Sequence, residues 1–205
     1  MASQKLSQKS GMNVIVESIN LEQYPVIVTQ MNIERKAKLT LTGFLTNSSL
    51  DMDYQLISGC IASEVCSIDD AIDIKGHVNG PYSRVAITGE GKALDGNVSY
   101  HLIKYNDKVE DLSLLMREVN STKLFTLMGY EELIKGKANV DVNFEFMKEN
   151  DRKGSFVYEV KDSNLSGLAL DLHTEVQIDG LMHTFYSNIT SPYLNLSITN
   201  GQYDQ

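Results

Sequence analysis

Residues Leu133–Leu172 read LIKGKANVDVNFEFMKENDRKGSFVYEVKDSNLSGLALDL, and the spacing of their apolar side chains decides the fold class. Val140, Val142, Phe144 and Phe146 alternate with polar neighbours, and so do Phe156, Tyr158 and Val160, then Leu168, Leu170 and Leu172. A period of two puts every second side chain on one face of a pleated strand, so each run predicts a strand with one oily and one wet face. The polar segment from Asn150 to Gly154 between the first two runs predicts a turn, and the whole reads as antiparallel hairpins.

The same pattern extends outward. Upstream lie Lys38–Thr42 (KLTLT), Leu50–Leu56 (LDMDYQL), Ala71–Lys75, Arg84–Thr88 and Asn97–Leu102; downstream lie Val176, Ile178 and Tyr193–Thr199. Turn signals fall between them at Thr46–Ser49, Asn79-Gly80-Pro81, Gly89-Glu90-Gly91, Asp95-Gly96, Asp179-Gly180 and Asn200-Gly201. Proline, which removes a ladder donor, occurs only three times. One stretch departs from alternation. Asn120–Gly129 (NSTKLFTLMG) has a capping Asn or Ser, an apolar stripe and a closing glycine, which predicts one short helix near residues 120–129. Glu110–Val119 fits a helix start or a strand and reads better as a strand. The expected fold is mainly β: an antiparallel meander of successive hairpins with one short helix. Residues 1–12 are expected to lie outside the fold, as a disordered or added N-terminal segment. Residues 13–205 are expected to form a single β-rich domain, a segment of a longer protein.

Composition narrows the function. With a formal net charge of −9 and no dense Lys/Arg run, the chain would repel a phosphate backbone, which sets nucleic acid aside. No segment reaches the roughly 18 apolar residues that span a bilayer, and Met1–Gly11 lacks the apolar stretch of a secretory signal. Cys60 and Cys66 match no zinc spacing; two separate thiols or a bridge across a turn both remain open. His77, His101, His173 and His183 show no metal-ligand spacing, and no nucleophile elbow is present. Gly89-Glu90-Gly91 lacks the Lys-Ser/Thr of a phosphate loop. Asp51 and Asp53 alternate with apolar residues and read as a solvated strand face rather than a calcium loop. No enzyme, cofactor or metal site is expected.

Leu133–Leu172 also resembles the C-terminal region of the AsmA-like envelope proteins, the TamB-like type. The matching positions are Gly136, Ala138, Val140, Val142, Gly154, Val160, Asp162, Leu165, Gly167, Leu170, Asp171 and Leu172. Leu39–Leu56 and Val85–Leu102 resemble that family's units of a strand, a glycine and an alternating strand. The resemblance implies that the antiparallel meander forms a curved, taco-like groove or open sandwich, with an apolar concave face that binds or conducts lipid in support of outer-membrane homeostasis. It implies a periplasmic location in a Gram-negative bacterium, with membrane attachment only through an N-terminal inner-membrane anchor expected to be missing from this segment.

A sheet with one oily face must cover it with a second layer, a helix or a ligand. The expected lining is Leu39, Leu41, Met52, Tyr54, Val140, Val142, Phe144, Tyr158, Leu170 and Leu172. The expected partner is a phospholipid or other acyl-chain lipid, with β-edge pairing to itself or to another envelope protein as a further contact. The competing expectation is a structural or interaction β-sandwich of the envelope, with a closed core and no ligand.

Overall fold

The computed structural model describes residues 14–16, 26–27, 34–35, 37–61, 68–106, 108–128, 130, 134–145, 152–165 and 167–204. The expected N-terminal segment and Cys66, and with it the question of a bridge to Cys60, lie outside them. The strands are β1 (Val14–Val16), β2 (Val26–Ile27), β3 (Glu34–Arg35), β4 (Ala37–Leu45), β5 (Ser49–Ile61), β6 (Ile68–Pro81) and β7 (Arg84–Ala93). They continue as β8 (Gly96–Tyr105), β9 (Lys108–Asn120), β10 (Lys135–Glu145), β11 (Lys153–Leu165), β12 (Leu168–Asp179), β13 (Met182–Thr190) and β14 (Asn195–Asp204). Helix α1 (Ser121–Leu127) joins β9 to β10.

From β4 to β14 every strand pairs antiparallel with the next in sequence, and β1 adds to the outer side of β4; β2 and β3 form a separate two-stranded ladder. The sheet is open: β1 and β14 are its two edges. The predicted meander and helix are therefore present. Glu110–Val119 is strand, and a strand that alternation did not announce, β13, carries His183 to Thr190.

Three predicted turns are strand instead. Gly89-Glu90-Gly91 lies inside β7, Asn200-Gly201 lies inside β14, and Asn79-Gly80-Pro81 ends β6, with the hairpin turn following at Tyr82-Ser83. At Asn200 the chain takes a positive φ of 57°, next to a break in the β13–β14 register. Glu118 and Asp162 do the same in β9 and β11, each beside a register break. These are β-bulges, which bend and twist a strand locally. Those at Glu118 and Asp162 sit toward the end of the strands where α1 packs.

The helix start follows the predicted chemistry. Asn120 accepts a bond from the Lys123 backbone N–H at 3.3 Å, and its amide donates to Asp95 at 3.1 Å. Leu124 points into a buried cluster with Leu94, Val98, Val119, Ala138, Val140, Val142, Tyr158 and Val160. Leu94 enters that cluster from the tip of the β7–β8 hairpin, with φ at 56° and its carbonyl accepting from Asn120 N–H at 2.7 Å. The helix also touches β6, so it spans the apolar face from β6 to β10 at one end of the strands.

Candidate functional site

Antiparallel partners that sit directly opposite share a face, so registers can be followed from strand to strand. One line runs Leu41, Tyr54, Gly76, Gly89, Tyr100, Leu114, then Val142, Phe156, Val176, Phe185 and Gly201. It holds no charged side chain from β4 to β14. The line one residue away runs Thr42, Asp53, His77, Thr88, His101, Ser113, then Asn143, Ser155, Gln177, Thr184 and Gln202, and holds no apolar one. The two faces of the sheet are thus separated by polarity across eleven consecutive strands. At about 4.8 Å per strand spacing, the apolar line is about 50 Å long, measured along the sheet.

A second apolar line lies on the same face, further from α1. It passes through Met52, Val78, Ile87, Leu102, Leu112, Phe144 and Ile178. These side chains are half-buried rather than buried. Among the described residues the other sheet is the two-stranded β2–β3 ladder, and α1 packs against β6, β9 and β10 at its own end of the face.

The expected lining residues fall into two groups. Val140, Val142, Tyr158 and Leu170 are buried, and the first three belong to the packed cluster that α1 closes. Leu41, Met52, Tyr54, Phe144 and Leu172 are half-buried, and of these Phe144 and Leu172 pack against that cluster. Leu39 is described by its backbone alone, which pairs with Leu56. Leu102, Leu112, Leu114 and Phe185 share the face and were not picked out from the sequence. The Leu114-Leu115 doublet hides the alternation in β9, and β13 offers only Phe185 and Ile189 as aliphatic or phenyl anchors on this face.

Glycines inside strands of this face are covered by aromatic rings from the neighbouring strand. Tyr54 lies over Gly76 and meets Tyr100 over Gly89, so a Cβ at Gly89 would fall 2.4 Å from Tyr54 Oη and 2.5 Å from Tyr100 Cζ. Phe144 covers Gly154 and Phe185 covers Gly201 in the same way. This aromatic cover supplies the packing surface that glycine lacks. The Tyr54 hydroxyl donates to Thr88 C=O at 3.0 Å and lies in hydrogen-bond contact with the Tyr100 hydroxyl. Burial, then the Tyr100 contact, raises the Tyr54 phenol above its ordinary range.

Near α1 the face contains two hydroxyls. Ser121 Oγ and Tyr158 Oη are buried and make no hydrogen bond of full geometry. Burial raises the Tyr158 phenol, and the adjacent Ser121 hydroxyl offsets part of that rise. Phe125 packs edge-on to Tyr158, with ring centroids 6.0 Å apart.

The polar face carries short-range polar contacts between side chains. His77 sits between Asp51 and Asp53, at 3.2 Å and 2.8 Å, and Arg84 pairs with Glu110 at 2.7 Å. Shallow, wide-open hollows occur on this face, one of them along His101, Ser113, Asn143, Ser155 and Gln177. They lie between polar and charged side chains. Among the described residues no group of His, Cys, Asp and Glu could hold a metal ion. No helix there is long and apolar enough to cross a membrane.

No family model, curated protein or solved structure matches the chain.

Proposed function

We propose that this chain holds acyl-chain lipid along the apolar face of its open sheet, as a non-enzymatic element of a cell envelope. One observation carries the reading: a charge-free line crosses eleven strands, and the helix that packs on that face is seven residues long and sits at one end. Soluble monomers rarely leave a contiguous apolar patch of more than a few hundred square ångströms exposed unless it is used. Each acyl methylene taken from water onto such a surface contributes about 0.8 kcal/mol, without directional bonds. Binding of this kind selects apolar chains in general and discriminates poorly among headgroups. The periplasmic location and the link to outer-membrane homeostasis belong to the same proposal and rest on the resemblance.

Replacement of Leu102 and Leu112 tests it. They are cross-strand neighbours, half-buried, and outside the cluster that α1 closes. In the Leu102→Glu, Leu112→Glu double variant, native mass spectrometry of protein purified without detergent is expected to show loss of the lipid adducts carried by the parent, with an unchanged far-ultraviolet spectrum. Equal lipid content in a folded double variant would remove the proposed role of this face.

A further inference from the structure

The edge of the sheet at β14 has its own partner chemistry. Ser191 N–H bonds to Leu194 C=O at 2.8 Å, and Thr190 pairs with Asn195, Ile189 with Leu196, Asn188 with Ser197 and Ser187 with Ile198. Hydrogen-bonded and non-hydrogen-bonded pairs alternate along an antiparallel ladder. Leu196 and Ile198 therefore direct their backbone groups at β13, and Asn195, Ser197 and Thr199 direct theirs outward, as a template for a further strand. Exposed edges of this kind are usually blunted by Lys, Pro or an inward charge. Between Asn195 and Thr199 there is none of these and no bulge. Leu196 and Ile198, on the apolar side of this edge, are 45% and 41% exposed.

We infer that two copies of this chain associate through β14, antiparallel, about a two-fold axis at Ser197. In that register Ser197 pairs with its own counterpart and Asn195 with Thr199, which uses every outward backbone group of the segment. Leu196 of each copy then stands opposite Ile198 of the other, so the four exposed side chains form one apolar cluster. No charged residue opposes another of the same sign, which matters for a chain with a net charge of −9. A register shifted by one residue would set Leu196 opposite Ser197 or Thr199 and place the inward-facing backbone groups at the interface. The bulge at Asn200 ends the straight segment and with it the pairing. The apolar faces of the two copies become continuous across the axis. This inference needs no lipid and stands apart from the proposal above.

Sedimentation of the full chain across a concentration series, in detergent-free buffer, tests the pairing. The parent is expected to pass reversibly from one chain mass to twice that mass. Ser197→Pro removes the outward N–H at the axis and leaves the β13 ladder intact, a position where an edge strand accepts proline. It is expected to sediment as one chain at every concentration, with unchanged circular dichroism. Ser197→Cys, in a chain carrying Cys60→Ser and Cys66→Ser, is expected to give a disulfide-linked dimer on mild oxidation, and Thr190→Cys in the same background is not. A parent that stays at one chain mass throughout, a folded Ser197→Pro dimer, or equal cross-linking at both cysteine positions would overturn the inference.

Discussion

Gly89→Ala is the substitution for which the aromatic cover and ordinary strand propensity predict opposite signs. Gly89 lies mid-strand with no positive φ, so its backbone makes no demand for glycine. On propensity alone, alanine is preferred there by about 0.5–1 kcal/mol. The structure places the new Cβ 2.4–2.6 Å from the ends of Tyr54 and Tyr100. Both rings must move off the glycine, and the Tyr54 bond to Thr88 C=O goes with them. Overpacking of this kind costs about 1–3 kcal/mol, and a neutral hydrogen bond contributes about 1 kcal/mol. The tyrosine ends can swing, which keeps the steric part near its lower limit. The expected net effect is destabilisation by about 1–2 kcal/mol, a fall in melting temperature of about 2–8 °C for a chain of this size. Urea unfolding followed by circular dichroism measures it. In a Tyr54→Leu, Tyr100→Leu background the same substitution is expected to be neutral or stabilising. A parental Gly89→Ala variant as stable as the wild type, or more stable, would refute the tyrosine cover.

Leu94→Ala empties a fully buried site under α1 and is expected to cost about 2–5 kcal/mol in the same unfolding assay, although the residue lies at a hairpin tip where surface positions usually tolerate change. Asn120→Ala removes the helix cap and is expected to cost about 0.5–2 kcal/mol. Asp95 adds a pH signature. Hydrogen bonds from Lys123 and then Asn120 hold its carboxyl below the usual carboxylate range, so its contribution is complete above the unfolded value, about 3.9, and is lost as pH falls through the folded one. Asp95→Asn is therefore expected to be less stable than the parent near neutral pH and equal to it in strong acid, and a stability gap that persists in acid would contradict this pairing.

Alternation along the strands made most of the fold legible. KLTLT, LDMDYQL and NVDVNFEF each state which side chains share a face, and registers from β4 to β14 join those faces into one. Asn120 and the stripe through Leu124 located α1 to within a residue. The misread positions have physical reasons. Gly89-Glu90-Gly91 has turn composition, and only the cross-strand tyrosines, distant in sequence, explain why glycine is needed inside a strand. Asn200-Gly201 has the composition of a hairpin and serves instead as a bulge. Leu94 at positive φ has no local signature, because its burial depends on a helix that begins at Ser121. Which apolar residues line an open wall and which are closed under α1 depends on where the helix rests, and no strand pattern encodes that. Val142 and Phe144 are two residues apart on one face, yet one is buried and the other half-buried.

The chain contains no tryptophan, so a single introduced indole reports from one place. Leu102 and His101 are consecutive in β8 and point to opposite faces of the sheet. Leu102→Trp and His101→Trp, each mixed with a phospholipid brominated along its acyl chain, give the most direct measurement of whether the apolar wall takes lipid. Strong quenching of the indole at 102 with little at 101 is the predicted result. Equal quenching at both positions, or none at 102 in a folded protein, would contradict it.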